Sequence, residues 1–240
     1  MEKSKIIVTK NGPYTVSGSV PLRKEIAVAP EDDGREHLFG RPPVRWAAAE
    51  TFPLQQEYSL CRCGESKNKP YCDGSHEHHS FDGTECADTT PFLQKAQRFE
   101  GPGADLLDVP ELCSGARFCE AEGGSWNLVQ KSDDAAAKDM LIRQTGNCPS
   151  GRLVVVDKST GKPVEPEFGQ SIGVTEDPDV GVSGPLRVKG GIPVESADGS
   201  VYEIMHRMTL CRCGRSKNKP FCDGAHFNSG FNDGDASLVK

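Results

Sequence analysis

The sequence predicts an α+β chain: a strand-rich unit ending in a metal loop is used twice, and a small α+β region is inserted between the copies. Three observations predict it. A block of chain is written twice, 150 positions apart, as LCRCGESKNKPYCDGSH from Leu60 to His76 and LCRCGRSKNKPFCDGAH from Leu210 to His226. Over the 18 positions that start at Ser59 and Thr209, 14 are identical. Only 35% of residues are hydrophobic against 26 glycines and 17 prolines, so small cores are expected, and inorganic clusters can supply stability there by tethering loops. Between the blocks, from about Cys86 to Gln170, the composition shifts toward helix signals. This gives three segments: 1–85, 86–170 and 171–240.

Elements follow in order. Lys5 to Thr9, Tyr14 to Val16 and Glu25 to Ala29 are short β-type runs, separated by the turn signals Asn11-Gly12-Pro13 and Glu31-Asp32-Asp33-Gly34. The first copy has a longer segment before its cysteines, including Phe39 to Phe52, and a Gln56–Leu60 strand delivers the first block. In the second half, Val182-Ser183-Gly184-Pro185-Leu186 echoes Val16-Ser17-Gly18-Ser19-Val20-Pro21-Leu22, and Tyr202-Glu203-Ile204 leads toward the second block. In the middle, Asp88-Thr89-Thr90-Pro91 predicts a helix start leading into Phe92 to Phe99. Ser132-Asp133-Asp134 opens a second helix that Gly146 closes. Trp126 to Val129 and Leu153 to Val156 read as strands. The glycines of Val188-Lys189-Gly190-Gly191 belong to a turn.

The charge of −7 argues against a general nucleic-acid binder, which needs a basic face for phosphates. No apolar run reaches the roughly 20 residues of a membrane helix. The N-terminus lacks the apolar stretch of a secretory signal, so a cytoplasmic protein without membrane contact is expected. A secreted disulfide framework leaves unexplained why each C-x-C is followed by a histidine in the same register.

Each block sets three cysteines and one histidine at C-x-C-x8-C-x3-H: Cys61, Cys63, Cys72 and His76, then Cys211, Cys213, Cys222 and His226. The C-x-C thiolates lie close enough to share one metal ion. The third cysteine follows a loop containing Lys69-Pro70 or Lys219-Pro220. Asp73-Gly74 and Asp223-Gly224 suit a turn and helix N-cap that brings the histidine back beside it. Three sulfurs and one nitrogen fit either tetrahedral zinc or a diiron–disulfide cluster.

Both copies match C-x-C-x2-S-x3-P-x-C-D-G-[SA]-H at every position, and in this the chain resembles the CDGSH iron–sulfur, or NEET, family. The resemblance implies one [2Fe-2S] cluster per block. Cys61 and Cys63 would hold one iron and Cys72 and His76 the outer one, with Cys211/Cys213 and Cys222/His226 repeating this. It also implies a β-cap with cluster-binding loops, closed here as an intrachain pseudo-dimer in a monomer with internal pseudo-two-fold symmetry. Imidazole is neutral and can be protonated, so His76 and His226 would be the points of cluster lability. Lys67, Lys69, Lys217 and Lys219 read as solvated loop lysines.

Cys113 and Cys119, with Cys148-Pro149 after the Ser132 helix, resemble a divergent monocluster bacterial ferredoxin. The central cysteine of that pattern falls at Ala116, which cannot ligate. The resemblance therefore implies a [3Fe-4S] cluster on Cys113, Cys119 and Cys148; a [4Fe-4S] form would need a fourth ligand. Cys86 reads as an uninvolved thiol, His78 and His79 as solvated, and His37 and His206 lack ligand partners in the sequence. No phosphate loop, nucleophile elbow or paired carboxylates point to enzymatic turnover. The expected function is electron transfer with a redox partner protein. The alternatives are a [2Fe-2S] carrier serving an apo iron–sulfur acceptor, and a redox or iron sensor.

Overall fold

The computed structural model describes residues 3–31 and 37–239. The turn expected at Asp32–Gly34 lies outside them. Before the first block the chain forms β1 (Lys5–Val8), β2 (Tyr14–Ser17), β3 (Leu22–Val28), β4 (Arg45–Thr51) and β5 (Glu57–Leu60). Then come α1 (Phe92–Lys95), β6 (Gln97–Glu100), β7 (Ala104–Asp108), α2 (Ser125–Val129), α3 (Ala135–Asn147), β8 (Leu153–Asp157) and β9 (Lys162–Val164). The last stretch holds β10 (Ser171–Asp177), β11 (Val182–Lys189), β12 (Val194–Glu195), β13 (Arg207–Leu210) and α4 (Ala225–Asn228). The fold is strand-rich α+β. Among the described residues, no helix is long and apolar enough to cross a membrane.

Two sheets exchange strands. The order β12-β1-β2-β5 makes one and β13-β11-β10-β3-β4 the other. Strand β3 follows β2 in the chain but pairs in parallel with β10, Leu22 opposite Ile172; β12 follows β11 but pairs in parallel with β1, Val194 opposite Ile6. A prolyl carbonyl accepts at the start of each crossing: Ile172 N–H donates to Pro21 O and Ile6 N–H to Pro193 O, both at 2.9 Å. The registers Tyr14↔Leu60 and Leu186↔Leu210 make Gly12-Pro13-Tyr14-Thr15-Val16-Ser17-Gly18 the counterpart of Gly184-Pro185-Leu186-Arg187-Val188-Lys189-Gly190. The expected echo between Val16-Ser17-Gly18 and Val182-Ser183-Gly184 is therefore in the wrong register. Strand pairing, rather than letter similarity, fixes the correspondence, and it continues as Val20-Pro21-Leu22 with Ile192-Pro193-Val194.

One core spans both sheets, built from Ile6, Val8, Tyr14, Leu60, Ile172, Val188 and Leu210 among others. Strand β1 alternates half-buried and buried residues, the period-2 pattern of a half-covered sheet. Strand β11 is buried at all eight positions because something covers its second face too. Part of that cover is polar and paired: Glu25 accepts from Lys189 Nζ and, at 3.2 Å, from Arg187 Nη1. Trp46 and Phe168 lie against Arg187, at 4.9 and 5.3 Å from ring centre to guanidinium carbon. Burial pushes the Lys189 amine down to about 8, against the pull of Glu25.

The middle region has its own sheet, β6-β7-β8-β9, with α2 and α3 on one face and a core of Ala104, Leu106, Leu128, Val129, Leu141, Leu153 and Val155. Three local expectations fail here. The helix at Phe92 lasts one turn, and Phe99 lies in β6 opposite Leu106, because pairing with β7 overrides the helix start. Trp126 to Val129 is helix, not strand. Gly123 and Gly124 at positive φ turn the chain into it, and Leu128 and Val129 then face Leu141. Helix α3 runs past Gly146 to Asn147 and stops at Cys148-Pro149, since the residue before proline is pushed out of helical conformation. Its N-cap is Asp134, whose Oδ1 accepts from Ala137 N–H at 2.8 Å. Asp134→Ala is expected to cost about 1 kcal/mol, read from the denaturant midpoint. In the second half, the strand before the block is Arg207–Leu210 and not Tyr202–Ile204; Tyr202 instead donates through its hydroxyl to Glu85 at 2.8 Å.

Candidate metal centres

The two repeated blocks fold alike. Each follows the last strand of its unit, so the C-x-C pair emerges at a sheet edge. Backbone bonds close the loop: Cys61 N–H to Pro70 O at 2.8 Å and Cys72 N–H to Ser59 O at 2.9 Å, repeated by Cys211 to Pro220 and Cys222 to Thr209 at the same distances. The Lys69–Pro70 and Lys219–Pro220 peptides are cis. Ser66 Oγ donates to Tyr71 O at 2.6 Å and Ser216 Oγ to Phe221 O at 2.7 Å.

The aspartates are staples rather than caps. Asp73 accepts from Lys67 N–H and Ser75 N–H, at 2.8 and 3.0 Å, and Asp223 accepts from Lys217 and Ala225 at the same distances. Gly74 (φ 86°) and Gly224 (φ 83°) occupy the cap position, and the helical turns that follow carry His76 and His226.

Four ligand atoms result per block, in two pairs. Cys61 and Cys63 Sγ are 3.7 Å apart, and Cys72 Sγ lies 3.4 Å from His76 Nδ1. The second block gives 3.7 Å for Cys211–Cys213 and 3.4 Å for Cys222–His226. Two ligands about 2.3 Å from one tetrahedral ion lie about 3.7 Å apart, so each pair is an edge that fits one ion. The two edges do not converge. Among the described residues, the one group of three metal-ligating types with atoms all within 4.8 Å is Glu176, Asp233 and Asp235. A single zinc would draw all four atoms of a block inside that distance; a two-metal cluster uses two separate edges. The residues fit the second.

The thiols of each block are not alike. Within each C-x-C pair the shared hydrogen bond pulls one thiol down, Cys61 or Cys211, and pushes the other up, Cys63 or Cys213, while burial raises Cys72 and Cys222. Peptide N–H groups of Glu65 and Gly74 point at Cys63 and Cys72 Sγ, each at 3.4 Å. Burial pushes His226 down to about 4, with Arg212 and Arg117 adding to it, so the ring is neutral and ready to ligate.

The blocks abut. Gly64 (φ 83°) is so close to the other loop that a Cβ there would sit 2.7 Å from Cys213 O. At Gly214 (φ 77°) it would sit 2.3 Å from Cys63 O. Tyr14, from the first half, donates its buried hydroxyl to Cys211 O and Pro220 O, both at 2.9 Å.

The blocks also differ. Cys72 and His76 are half-buried, whereas Cys222 and His226 are 2% and 5% exposed. The cover over the second is the middle region: Cys113 O, Gly115 N and Ser114 C all come within 3.7 Å of where a Gly224 Cβ would lie.

Those covering residues belong to the third cysteine group. Cys113 follows the turn Pro110–Leu112, Cys119 lies in the turn Phe118–Glu120, and Cys148 ends α3. Burial pushes the Cys119 thiol up to about 12, with Cys148 and then Cys113 adding to it, so the three thiols share one electrostatic neighbourhood. Ala116 lies beside Pro149 and His226 and offers no ligand atom. Arg152, on Asp108 at 2.5 and 2.8 Å, places its charge next to Cys113.

Cys86 does not join the trio; its exposed thiol donates to Lys217 O at 2.9 Å. His78, His79 and His206 are exposed, as are Lys67 and Lys217, while Lys69 and Lys219 bond to Ser66 O and Ser216 O.

Sequence reasoning missed the residues that dock the middle region. Arg207 donates to Thr145 O, Cys148 O and Leu153 O and pairs with Glu165. Trp46 Nε1 donates to Asn147 O at 2.9 Å, and its ring lies 4.8 Å from that of Phe118. The only local signal was the length of the segment around Trp46.

Comparisons with known proteins agree with this geometry. The family model described as iron-binding zinc finger, CDGSH type, matches residues 11–77 and 183–227, so its two starts fall in the Gly12/Gly184 register of the sheets. The model described as divergent 4Fe-4S mono-cluster matches residues 99–158, which contain Cys113, Cys119 and Cys148. The mouse (Mus musculus) protein called CDGSH iron-sulfur domain-containing protein 3, mitochondrial, is 41% identical over 44 residues, which is 16% of this chain and 32% of that protein. The chain thus spans about a third of the length of the curated relative it matches. No solved structure matches. The chain is an iron–sulfur protein carrying two CDGSH segments with a divergent mono-cluster segment between them.

Proposed function

We propose that the protein is a cytoplasmic one-electron carrier with two [2Fe-2S] clusters and one [3Fe-4S] cluster, serving a redox partner protein without catalysis of its own. The observation that carries this reading is that the three ligand groups lie side by side. Gly64 and Gly214 press the two C-x-C loops together, and Cys113 to Gly115 pack on Gly224.

In this reading segments 1–85 and 171–240 close as a pseudo-dimer within a monomer, and the strand exchange of β3 and β12 supports it. Segment 86–170 is the insertion. Cys61 and Cys63, and Cys211 and Cys213, hold the inner irons; Cys72 with His76, and Cys222 with His226, hold the outer ones. Cys113, Cys119 and Cys148 hold the third cluster, and Ala116 at the fourth place favours three irons over four. When bound, such clusters accept and release single electrons. The chain supplies a neutral imidazole at His226, sulfur-directed N–H groups and burial. Neither nucleic acid nor membrane enters this reading.

A second reading, a carrier that hands a [2Fe-2S] unit to an apo iron–sulfur acceptor, is favoured by one observation. The Cys72–His76 edge is half-exposed while Cys222–His226 is covered. The loaded protein is expected to cycle between oxidised and reduced forms under anaerobic dithionite and ferricyanide with its iron retained. Passage of colour and iron to apo-ferredoxin would instead establish the carrier. In either case acid is expected to release the first block's iron before the second's, and His76→Cys to slow that release. Spectral bleaching at mildly acidic pH measures both.

A further inference from the structure

The two CDGSH blocks are nearly identical in sequence, yet the charge buried inside them is not. Each C-x-C encloses an arginine, Arg62 or Arg212, and both are buried, at 1% and 3% exposure. Both use the same frame. Arg62 Nε donates to Gly12 O at 2.9 Å and Arg212 Nε to Gly184 O at 2.7 Å, and Thr9 O and Thr175 O accept from the respective Nη2 atoms. Phe81 and Phe231 each stack 5.3 Å from the guanidinium carbon.

The remaining partners diverge. Arg212 meets two carboxylates: Glu176 Oε1 at 2.6 Å, and Asp233. Asp233 stays below the usual carboxylate range because Arg212 outweighs its burial. Arg62 meets Gly83 O at 2.6 Å, and its Nη1 has no partner; among the described residues no carboxylate forms an ion pair with it. The substitutions are visible along the chain: Gly83 stands two residues after Phe81, where Asp233 stands after Phe231. Lys10 follows Thr9, where Glu176 follows Thr175.

Gly12, whose carbonyl accepts from Arg62, also faces His76, since a Cβ there would sit 3.7 Å from His76 Nε2. A buried, unneutralised cation therefore lies near the first block's outer ligand pair and favours the added negative charge of reduction there, with an effect that is large where little water screens it. Arg212 offers far less of this, because Asp233 cancels its charge at contact even though burial pushes Glu176 up to about 7. Solvent access acts in the same direction, since the first block is the more exposed. Surface charges oppose it: Glu65, Glu77 and Asp82 flank the first block where Arg215, Phe227 and Asn232 flank the second. Glu77 Oε1 lies 3.9 Å from His76 Nε2 and opposes it most directly, but its side chain is 72% exposed, and the water around it weakens its field, as it does for the exposed Glu65, Asp82 and Arg215. Arg117, buried near His226, is paired with Asp177. The buried difference prevails.

We infer that Arg62, without a carboxylate, and Arg212, neutralised by Glu176 and Asp233, set the order of reduction, making the first block the electron sink and the covered second block the relay. This rests on the proposed pair of [2Fe-2S] clusters. Each step moves one electron and no proton, taking one iron from ferric to ferrous at the expense of a one-electron donor such as dithionite.

The test is an EPR-monitored redox titration of the loaded full chain at pH 8, with each wave assigned to its block by which one moves in Lys10→Glu and in Asp233→Asn. Two separate one-electron waves are expected, with the first block reduced first and preferred at least tenfold, about 59 mV. Lys10→Glu, at an exposed position, should narrow the gap by lowering the first wave. Asp233→Asn should narrow it by raising the second. Coincident waves, the reverse order, or a gap unchanged in both variants would overturn the inference alone. Absence of acid-labile sulfide would overturn it together with the reading beneath it.

Discussion

Gly214→Ala is expected to lower stability by about 2–4 kcal/mol and to reduce iron loading at both CDGSH blocks. Two costs add. An L-residue held at φ 77° is strained by about 1 kcal/mol, and a Cβ placed 2.3 Å from Cys63 O forces the two loops apart, an overpacking cost of about 1–3 kcal/mol. Gly199 supplies the control, since it has φ 89° but nothing within 4 Å of the same added atom. Gly199→Ala should therefore show the backbone cost alone, and the difference isolates the contact between the blocks. Denaturant melts of both variants, with iron per chain, measure it. Equal effects in the two would mean that the loops do not depend on touching.

Arg207→Met is expected to cost about 3–5 kcal/mol and to free the middle region first. Its guanidinium is fully buried and holds Glu165 through Nε and Nη2, at 2.9 and 3.0 Å. The same group donates to the carbonyls of Thr145, Cys148 and Leu153 at 2.5, 2.6 and 3.1 Å. Methionine leaves a partly buried carboxylate unpaired and three acceptors unanswered, which is why breaking such a pair costs more than the pair itself contributes. Adding Glu165→Leu should recover part of the loss. In the single variant, protease cleavage between residues 97 and 164 should precede global unfolding. The Cys148 carbonyl is one of the three acceptors, so the third cluster is expected to be lost together with that docking.

The candidate ligand pairs were legible in the sequence and their surroundings were not. Cys61, Cys63, Cys72 and His76 form a local unit whose spacing, Asp73 staple and Gly74 turn all lie within 16 consecutive residues, and the same is true at Cys211 to His226. Cys113, Cys119 and Cys148 could be read for a similar reason, with Pro149 marking where α3 must stop. Strand exchange is long-range: nothing local to Leu22 says that it pairs with Ile172. The echo was misread because Val-Ser-Gly recurs by letter at Val182, while pairing with β5 and β13 decides the true alignment of Gly12-Pro13 with Gly184-Pro185. Phe99 and Trp126 were misassigned for the same cause, tertiary partners in β7 and α3. The different burial of His76 and His226 depends on where the middle region docks, through Trp46 and Arg207, far from either motif.

Iron and acid-labile sulfide per chain, combined with EPR of the oxidised and reduced forms, report whether one chain holds three separate iron–sulfur groups. About seven irons are expected, with a paramagnetic signal in the oxidised protein that disappears in Cys113→Ala while about four irons remain. Zinc without sulfide, or an iron content unchanged by Cys113→Ala, would contradict this.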